Sequence, residues 1–320
     1  MKNIRVGVAG CGAFGRNHVR VLASLKDAGA ELTGIYDRDG ERARAVALEF
    51  STRAFGSAAE LAAASEAAIV AVPTQAHTDV AVEFMRAGCD VMVEKPIAPS
   101  LADADCMIAA AREHGRILMV GHLERFNPCV RLIRPRITKP LFFEVHRLSI
   151  FTPRSLDVDV LLDLMIHDLD IVLSFVKAGV SDLQAVGVAV LTAHADIANV
   201  RLSFDNGCVA NLTASRVSTE KVRKLRFFQP GEYISLDYAR RDARIFSVAK
   251  QPGAMPAIAH DHLAGSPNEE PLRTEIEAFL DAVRSRTVPE VSGEVGRAAL
   301  AVALRAAEAM AAHARLVGLH

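Results

Sequence analysis

The chain has no tryptophan and only three tyrosines in 320 residues. A sugar or base held by aromatic stacking would have to lie on phenylalanine or one of those tyrosines. Cysteine is sparse and scattered, at positions 11, 89, 106, 129 and 208. The number is odd, the spacing is wide and no Cys-x-x-Cys occurs, which speaks against a disulfide framework and against a zinc site. Five reduced, mostly buried thiols are expected. Net charge is missing too: 37 Lys and Arg against 38 Asp and Glu give −1. The overall basic excess of a nucleic-acid-binding protein is therefore absent. No apolar run reaches the ~18–20 residues that a membrane span requires. Residues 1–10 make a poor signal peptide, because their short apolar run turns straight into glycine. The expected compartment is the cytoplasm. No internal repeat or low-complexity tail interrupts the pattern.

What is present is the profile of an ordinary globular protein, 51% hydrophobic and 23% charged. The length predicts about two domains. The first half alternates strand and helix. Short β-branched runs at 4–9, 32–36, 68–72, 90–93 and 117–120 read as buried strands. Helical periodicity falls between them at 17–28, 41–50, 77–87 and 101–113. That alternation predicts βαβ units and a parallel sheet. The pattern changes near Gly121, and a boundary at residue 122 divides domains 1–122 and 123–320. One long helix is expected over 156–178. Strands follow at 183–191, 197–204, 208–215, 224–228, 233–237 and 243–248, with Asp205-Asn206-Gly207 as a hairpin turn. Successive hairpins predict an open antiparallel sheet. Residues 251–271 read as a loop, and helices at 272–284 and 293–315 close the chain and could pack back on the first domain.

Gly10-Cys11-Gly12-Ala13-Phe14-Gly15 is a G-x-G-x-x-G between the first strand and the first helix. This is the context of a dinucleotide fingerprint. Gly10 permits the tight turn, Gly12 lets the backbone approach a pyrophosphate, and Gly15 allows close helix–strand packing. Asp37 ends the second strand, where an acid accepts hydrogen bonds from the adenosine ribose and disfavours a 2′-phosphate. NAD is the expected cofactor; Arg38 leaves NADP open. Val72, Pro73, Thr74 and His77 follow the third strand at the sheet edge where ligands bind. Pro73 and Thr74 suit the nicotinamide ribose, and Thr74 equally suits a helix cap. Glu94-Lys95-Pro96 follows the fourth strand at the same edge. A lysine in a closed cleft suits proton transfer, with Glu94 as its counter-charge or as a ribose contact.

The long helix carries Asp159, Asp163, His167 and Asp170 in apolar surroundings. Residues four apart share a helix face, so Asp163 and His167 are neighbours, and a carboxylate there orients the imidazole. A metal reading finds no third and fourth ligand nearby.

In the order and spacing of these motifs the chain resembles the Gfo/Idh/MocA oxidoreductases. The resemblance rests on Gly10 to Gly15, Glu94-Lys95-Pro96, Gly121-His122 with Arg125-Phe126-Asn127-Pro128, and Asp163-x-x-x-His167. It covers essentially the whole chain. It implies an α/β protein: an N-terminal Rossmann doubly wound parallel sheet and a C-terminal α+β domain with a large, mostly antiparallel sheet. That sheet is the implied interface of a homodimer or homotetramer. Lys95, Asp163 and His167 are the implied catalytic group. Within the family the 121–128 stretch and the long helix look most like a group that oxidises the 3-hydroxyl of a UDP-N-acetylhexosamine; related members oxidise inositols or free sugars.

The expected reaction is hydride transfer from a sugar ring carbon to the nicotinamide. His167 is the expected base, oriented by Asp163, with Lys95 polarising the emerging carbonyl; the reverse assignment of Lys95 and His167 is the alternative. Lys95, Arg125, Asn127, Asp163 and His167 are the expected substrate contacts. Arg154 and Arg216 are further cations for a diphosphate, and Phe126 and Phe151 suit a core better than stacking. Two other functions would use the same cofactor: an NAD or sugar-nucleotide sensor, and an NAD-dependent glycosidase. The proton-transfer set argues against the sensor.

Overall fold

Glycine closes the first β-branched run, and strand and helix alternate from there. The computed structural model describes residues 3–152, 159–249, 257–266 and 268–318. The first elements are β1 (Ile4–Ala9), α1 (Ala13–Ala23), β2 (Ala30–Tyr36), α2 (Gly40–Glu49), α3 (Ala58–Ala64), β3 (Ala67–Val70), α4 (His77–Arg86), β4 (Asp90–Glu94), α5 (Leu101–Glu113) and β5 (Leu118–Gly121). The strands pair in parallel in the order β2-β1-β3-β4-β5. A single parallel bridge from Ile35 to Ala54 adds one short strand outside β2. Counted by chain position, the order is then 3-2-1-4-5-6, that of the doubly wound dinucleotide fold. Val6, Val8, Ile69, Val70, Val91 and Val93 are fully buried. Cover on both faces explains the nearly continuous apolar strands.

Two local differences stand out here. Helix α1 starts at Ala13 and ends at Ala23, with a 3₁₀ turn at Lys26–Ala28, because it begins directly on the glycine loop. Helix α3 was not expected. Its sequence, AAELAAA, has no apolar stripe, but the Ser57 hydroxyl caps it by accepting the Glu60 N–H at 3.2 Å.

The chain continues with α6 (Pro128–Ile133) and β6 (Phe142–Leu148), then a π turn at Leu161–Met165 that runs into α7 (Ile166–Val176). Next come β7 (Val180–Val188), β8 (Ile197–Phe204), β9 (Val209–Ser215), β10 (Val222–Gln229), β11 (Glu232–Asp237), β12 (Asp242–Ala249) and β13 (Ala257–Ala264). Helices α8 (Pro271–Ser285) and α9 (Gly293–Leu316) end it. The eight strands from β6 to β13 form one sheet in the order β13-β12-β11-β10-β6-β9-β8-β7. Only β6 and β9 run parallel; the remaining pairs are antiparallel. Leu169, Val172 and Phe175 of α7 join Phe143, Leu212 and Phe227 of the sheet in a buried cluster. The Phe143 and Phe227 rings stack with centroids 5.3 Å apart.

The expected loop at 251–271 contains β13, an exposed edge strand that pairs with β12 from Asp242↔Ala264 to Ala249↔Ala257. The expected long helix is described only from residue 160, and it is a π turn before it is an α-helix. Residues 156–158 of that expectation lie outside the described residues. The chain divides into two units: Met1–Leu123 with Glu270–Leu300, and Glu124–Glu269 with Ala301–His320. Helix α8 thus belongs to the first unit. No described helix is long and apolar enough to cross a membrane.

Candidate active site

Register in the first unit fixes which residues leave the sheet together. Ala9 lies opposite Tyr36 and Val70, Val70 opposite Val93, and Glu94 opposite Gly121. Gly10, Asp37, the 71–74 segment and Lys95 therefore emerge along one carboxyl edge, the edge that takes ligands in open α/β sheets.

The three glycines of the loop differ in what they permit. Gly10 has φ +95°, and a Cβ there would stand 2.4 Å from the Ala71 carbonyl oxygen. A Cβ on Gly15 would stand 1.8 Å from the Gly10 carbonyl oxygen. Among the described residues nothing lies within 4 Å of an atom added at Gly12, and none caps α1 with its side chain at that end. A tight turn, close packing and an uncapped helix N-terminus beside open space are what a pyrophosphate requires. Ala13 and exposed Phe14 form the first turn beyond it. Asp37 holds the loop in place: its Oδ2 accepts the Cys11 N–H at 2.6 Å, and its Oδ1 accepts the Asp39 N–H at 2.9 Å. Asp37 and Arg38 line a cavity of about 330 Å³ with Tyr36, Gly40 and Arg44. These residues fit a dinucleotide.

Val72 and Pro73 follow β3, and Thr74 opens a 3₁₀ turn without capping a helix; α4 has Ala76 as its N-cap and no side-chain cap bond. His77 is buried. Its Nδ1 lies 3.0 Å from the Pro96 carbonyl oxygen, and its Nε2 lies 3.0 Å from that of Val72. Burial pulls its pKa below the ordinary value despite those carbonyls. His77 therefore ties the loop after β3 to the loop after β4. Glu94 closes β4. Its Oε1 lies 2.6 Å from His18 Nε2, and its Oε2 accepts the Lys95 N–H at 3.3 Å. Burial would raise the Glu94 pKa, but the bond to His18 brings it below the usual glutamate value.

In the second unit Asp163 sits on the π turn and His167 on the first turn of α7, both half-buried. A π turn widens the backbone ring and is frequent at functional sites. Asp159, grouped with them by spacing, instead caps the helix start by accepting the Leu161 and Leu162 N–H groups at 2.9 and 3.2 Å. Asp170 is paired with Arg125. Arg125 Nε donates to its Oδ2 at 2.5 Å, and Nη2 donates to its Oδ1 at 2.9 Å, both side chains being buried. Arg125 thus anchors α7 through a buried ion pair. Asn127 is likewise built in. Its amide donates to Glu124 Oε2 at 3.0 Å and to the Tyr238 carbonyl at 3.2 Å, and its oxygen caps α6. Arg216 and Phe126 are buried, whereas Phe151 is 37% exposed. Arg154 lies outside the described residues.

Residues 4–122 match the profile of an oxidoreductase family with an NAD-binding Rossmann fold (GFO_IDH_MocA), and residues 130–229 match the GFO/IDH/MocA C-terminal domain. The chain belongs to the Gfo/Idh/MocA oxidoreductase family. A curated UDP-N-acetylglucosamine 3-dehydrogenase of Acidithiobacillus ferrooxidans is 38% identical over 308 residues, covering 95% of this chain and 96% of that protein. A solved structure of the A. ferrooxidans UDP-N-acetylglucosamine 3-dehydrogenase GnnA matches with a TM-score of 0.90 at 36% identity, over 98% and 99% of the two chains. Levoglucosan dehydrogenase in complex with NADH and levoglucosan shares the fold, with a TM-score of 0.86 at 18% identity over 97% and 98% of the two chains.

Several buried charges of this Gfo/Idh/MocA protein escaped the sequence reading. Arg147 of β6 donates from Nε and Nη2 to Asp168 at 2.6 and 2.8 Å, and from Nη1 to Glu124 at 3.0 Å. Burial disfavours that guanidinium's charge, but Asp168 and Glu124 hold its pKa well above the ordinary value. In β6 the core-facing positions read Phe143, Val145, Arg147, and the arginine broke an alternation that would otherwise have announced a strand. His18 and Glu275 lie on the buried faces of α1 and α8, where isolated polar residues carry no motif.

Proposed function

We propose that this chain is a UDP-N-acetylglucosamine 3-dehydrogenase that removes a hydride from a sugar ring carbon and a proton from its hydroxyl. The observation that carries the substrate is the near-full-length relative of that activity, 38% identical. NAD, when bound, supplies the hydride acceptor. Gly10, Gly12, Ala13, Phe14 and Gly15 receive its pyrophosphate, Asp37 and Arg38 its adenosine end, and Val72, Pro73, Thr74 and Glu94 its nicotinamide half. His77 orders the loops around that half. His167 takes the hydroxyl proton. Asp163 orients the imidazole and stabilises its charged form. Lys95 polarises the emerging carbonyl oxygen.

The second sheet supports a homo-oligomer. Phe142, Phe228, Tyr233 and Phe246 stack ring on ring across β6, β10, β11 and β12, with centroids 5.0–5.8 Å apart. Phe228 is 39% and Val248 41% exposed on that stripe. An apolar patch of this kind marks an association surface. A reducing compartment, the cytoplasm, agrees with free thiols at all five cysteines.

The test is absorbance in the NADH band with NAD and a panel of UDP-sugars, free sugars and inositols. NADH appearing with UDP-N-acetylglucosamine and not with inositol or glucose supports the reading. NADH appearing only with an inositol or a free sugar overturns the substrate.

A further inference from the structure

Helix α7 carries two acids just past His167, and a buried arginine holds each. Asp168 accepts from Arg147 of β6 at 2.6 and 2.8 Å. Asp170 accepts from Arg125, of the 3₁₀ turn at Leu123–Phe126, at 2.5 and 2.9 Å. Nη2 of that arginine also donates to the Asp170 carbonyl at 3.3 Å. All four side chains are at most 6% exposed. Glu124 links the two arginines into one frame. One of its oxygens accepts from Arg147 and the other from Asn127, each at 3.0 Å, and Asn127 continues to the Tyr238 carbonyl at 3.2 Å. The Arg147 guanidinium also lies over the Tyr238 ring, 5.3 Å from its centroid. Residues 124–127 thereby tie α7 to β6 and to the residue that follows β11.

An α-helix turns about 100° per residue, so Asp168 and Asp170 point about 200° apart around α7. The two arginines therefore grip the helix from nearly opposite sides. A guanidinium meets a carboxylate in one plane at two points, so each pair fixes a direction as well as a distance. No roll of α7 about its own axis keeps both pairs. Buried ion pairs add little stability over apolar residues of the same volume; what they can add is a single fixed arrangement. The His167 imidazole stands about 6 Å from the helix axis, so a roll of about 10° would carry it about 1 Å. A displacement of that size can cost about 10²-fold in rate. We propose that Asp168 and Asp170, with Arg147 and Arg125, are positioning residues that fix the roll of α7 and so the aim of His167. The inference rests on the reading of His167 as the base.

The double change Arg147→Met with Asp168→Leu removes one grip and refills its volume with apolar atoms. It is compared with wild type on the full chain, at a temperature where circular dichroism shows both fully folded. kcat should fall about 10- to 100-fold, with KM for UDP-N-acetylglucosamine and the dissociation constant for NADH within about twofold of wild type. A folded variant with wild-type kcat overturns the proposal. So does a raised KM at unchanged kcat, which would assign the pair to substrate binding. Asp170→Asn loosens the second grip while leaving Arg125 one acceptor, and should lower kcat in the same way; it decides the matter if the double variant does not fold. Proton–carbon spectra of the histidine-labelled chain give a readout without turnover, the His167 ring peak being identified by its loss in His167→Ala. That peak should move, broaden or split in the folded double variant and in Asp170→Asn. An unchanged peak overturns the proposal whatever the kinetics. A wild type that oxidises no sugar, or His167→Ala with wild-type turnover, defeats the reading of His167 as base instead, and the ring peak still judges the positioning.

Discussion

Gly12 and Gly15 are two residues of one motif, yet alanine should act on them in opposite ways. At Gly12 the backbone has φ −64° and ψ −171°, open to any residue, and the new methyl meets none of the described residues within 4 Å. Alanine caps a helix less well than glycine, while the loss of unfolded-chain entropy favours it. The two terms leave a net change within about 1 kcal/mol. The methyl does fill the space that an approaching phosphate needs. Losing even one hydrogen bond to a charged group costs about 1.5–3 kcal/mol, so the dissociation constant for NADH should rise at least about tenfold. At Gly15 the methyl would lie 1.8 Å from a carbonyl oxygen, where real contacts stay beyond 3.0 Å. The backbone must give by more than an ångström, and overpacking of that kind costs about 1–3 kcal/mol or more. NADH emission measures binding, and the absence of tryptophan removes one source of interfering fluorescence. Chemical denaturation measures stability. Gly12→Ala should unfold close to wild type and bind poorly; Gly15→Ala should lose stability first. If Gly12→Ala keeps wild-type affinity, or unfolds as readily as Gly15→Ala, the assignment of the loop is wrong.

Lys95→Ala and His167→Ala should each lower kcat by about 10²–10⁴-fold, the usual worth of a positioned proton-transfer group, with NADH affinity nearly unchanged; wild-type turnover in both variants would remove them from the mechanism. Asp168→Asn strips Arg147 of its main partner and should cost about 3 kcal/mol of stability. The double change Arg147→Met with Asp168→Leu should recover most of that, since the pair repays little beyond its own desolvation. A single variant within 1 kcal/mol of wild type contradicts this. Asp196 is fully buried. Burial would raise its pKa, but the N–H groups of Leu191, Thr192 and Val190 and the Thr192 hydroxyl bring it to about 2. A depressed carboxyl stabilises above its unfolded pKa of ~4. Asp196→Asn should therefore cost about 2 kcal/mol at pH 7, and urea titrations should show the gap closing between pH 4 and pH 2.

The parallel sheet, its glycine loop, Asp37 and the Glu94-Lys95 corner were legible in the sequence because their signals are local. β-branched runs, glycines and short spacings act within a few residues, and both faces of that sheet are apolar. The Asp163–His167 spacing was legible for the same reason. Tertiary structure alone decided the rest. Strand β6 was hidden because Arg147, a core-facing charge, becomes tolerable only when Asp168 arrives from a helix 21 residues on. Exposed β13 has no buried face to announce it and exists only because β12 offers an edge. The buried pair of Arg125 with Asp170, 45 residues away, was not legible in the sequence either. Glu275 is buried on α8, a state that no local pattern announces. The sequence by itself determined the sheet, the turn and the residue types at its edge. Which charges are neutralised, and which stand ready for chemistry, depended on partners that only folding brings within a few ångströms.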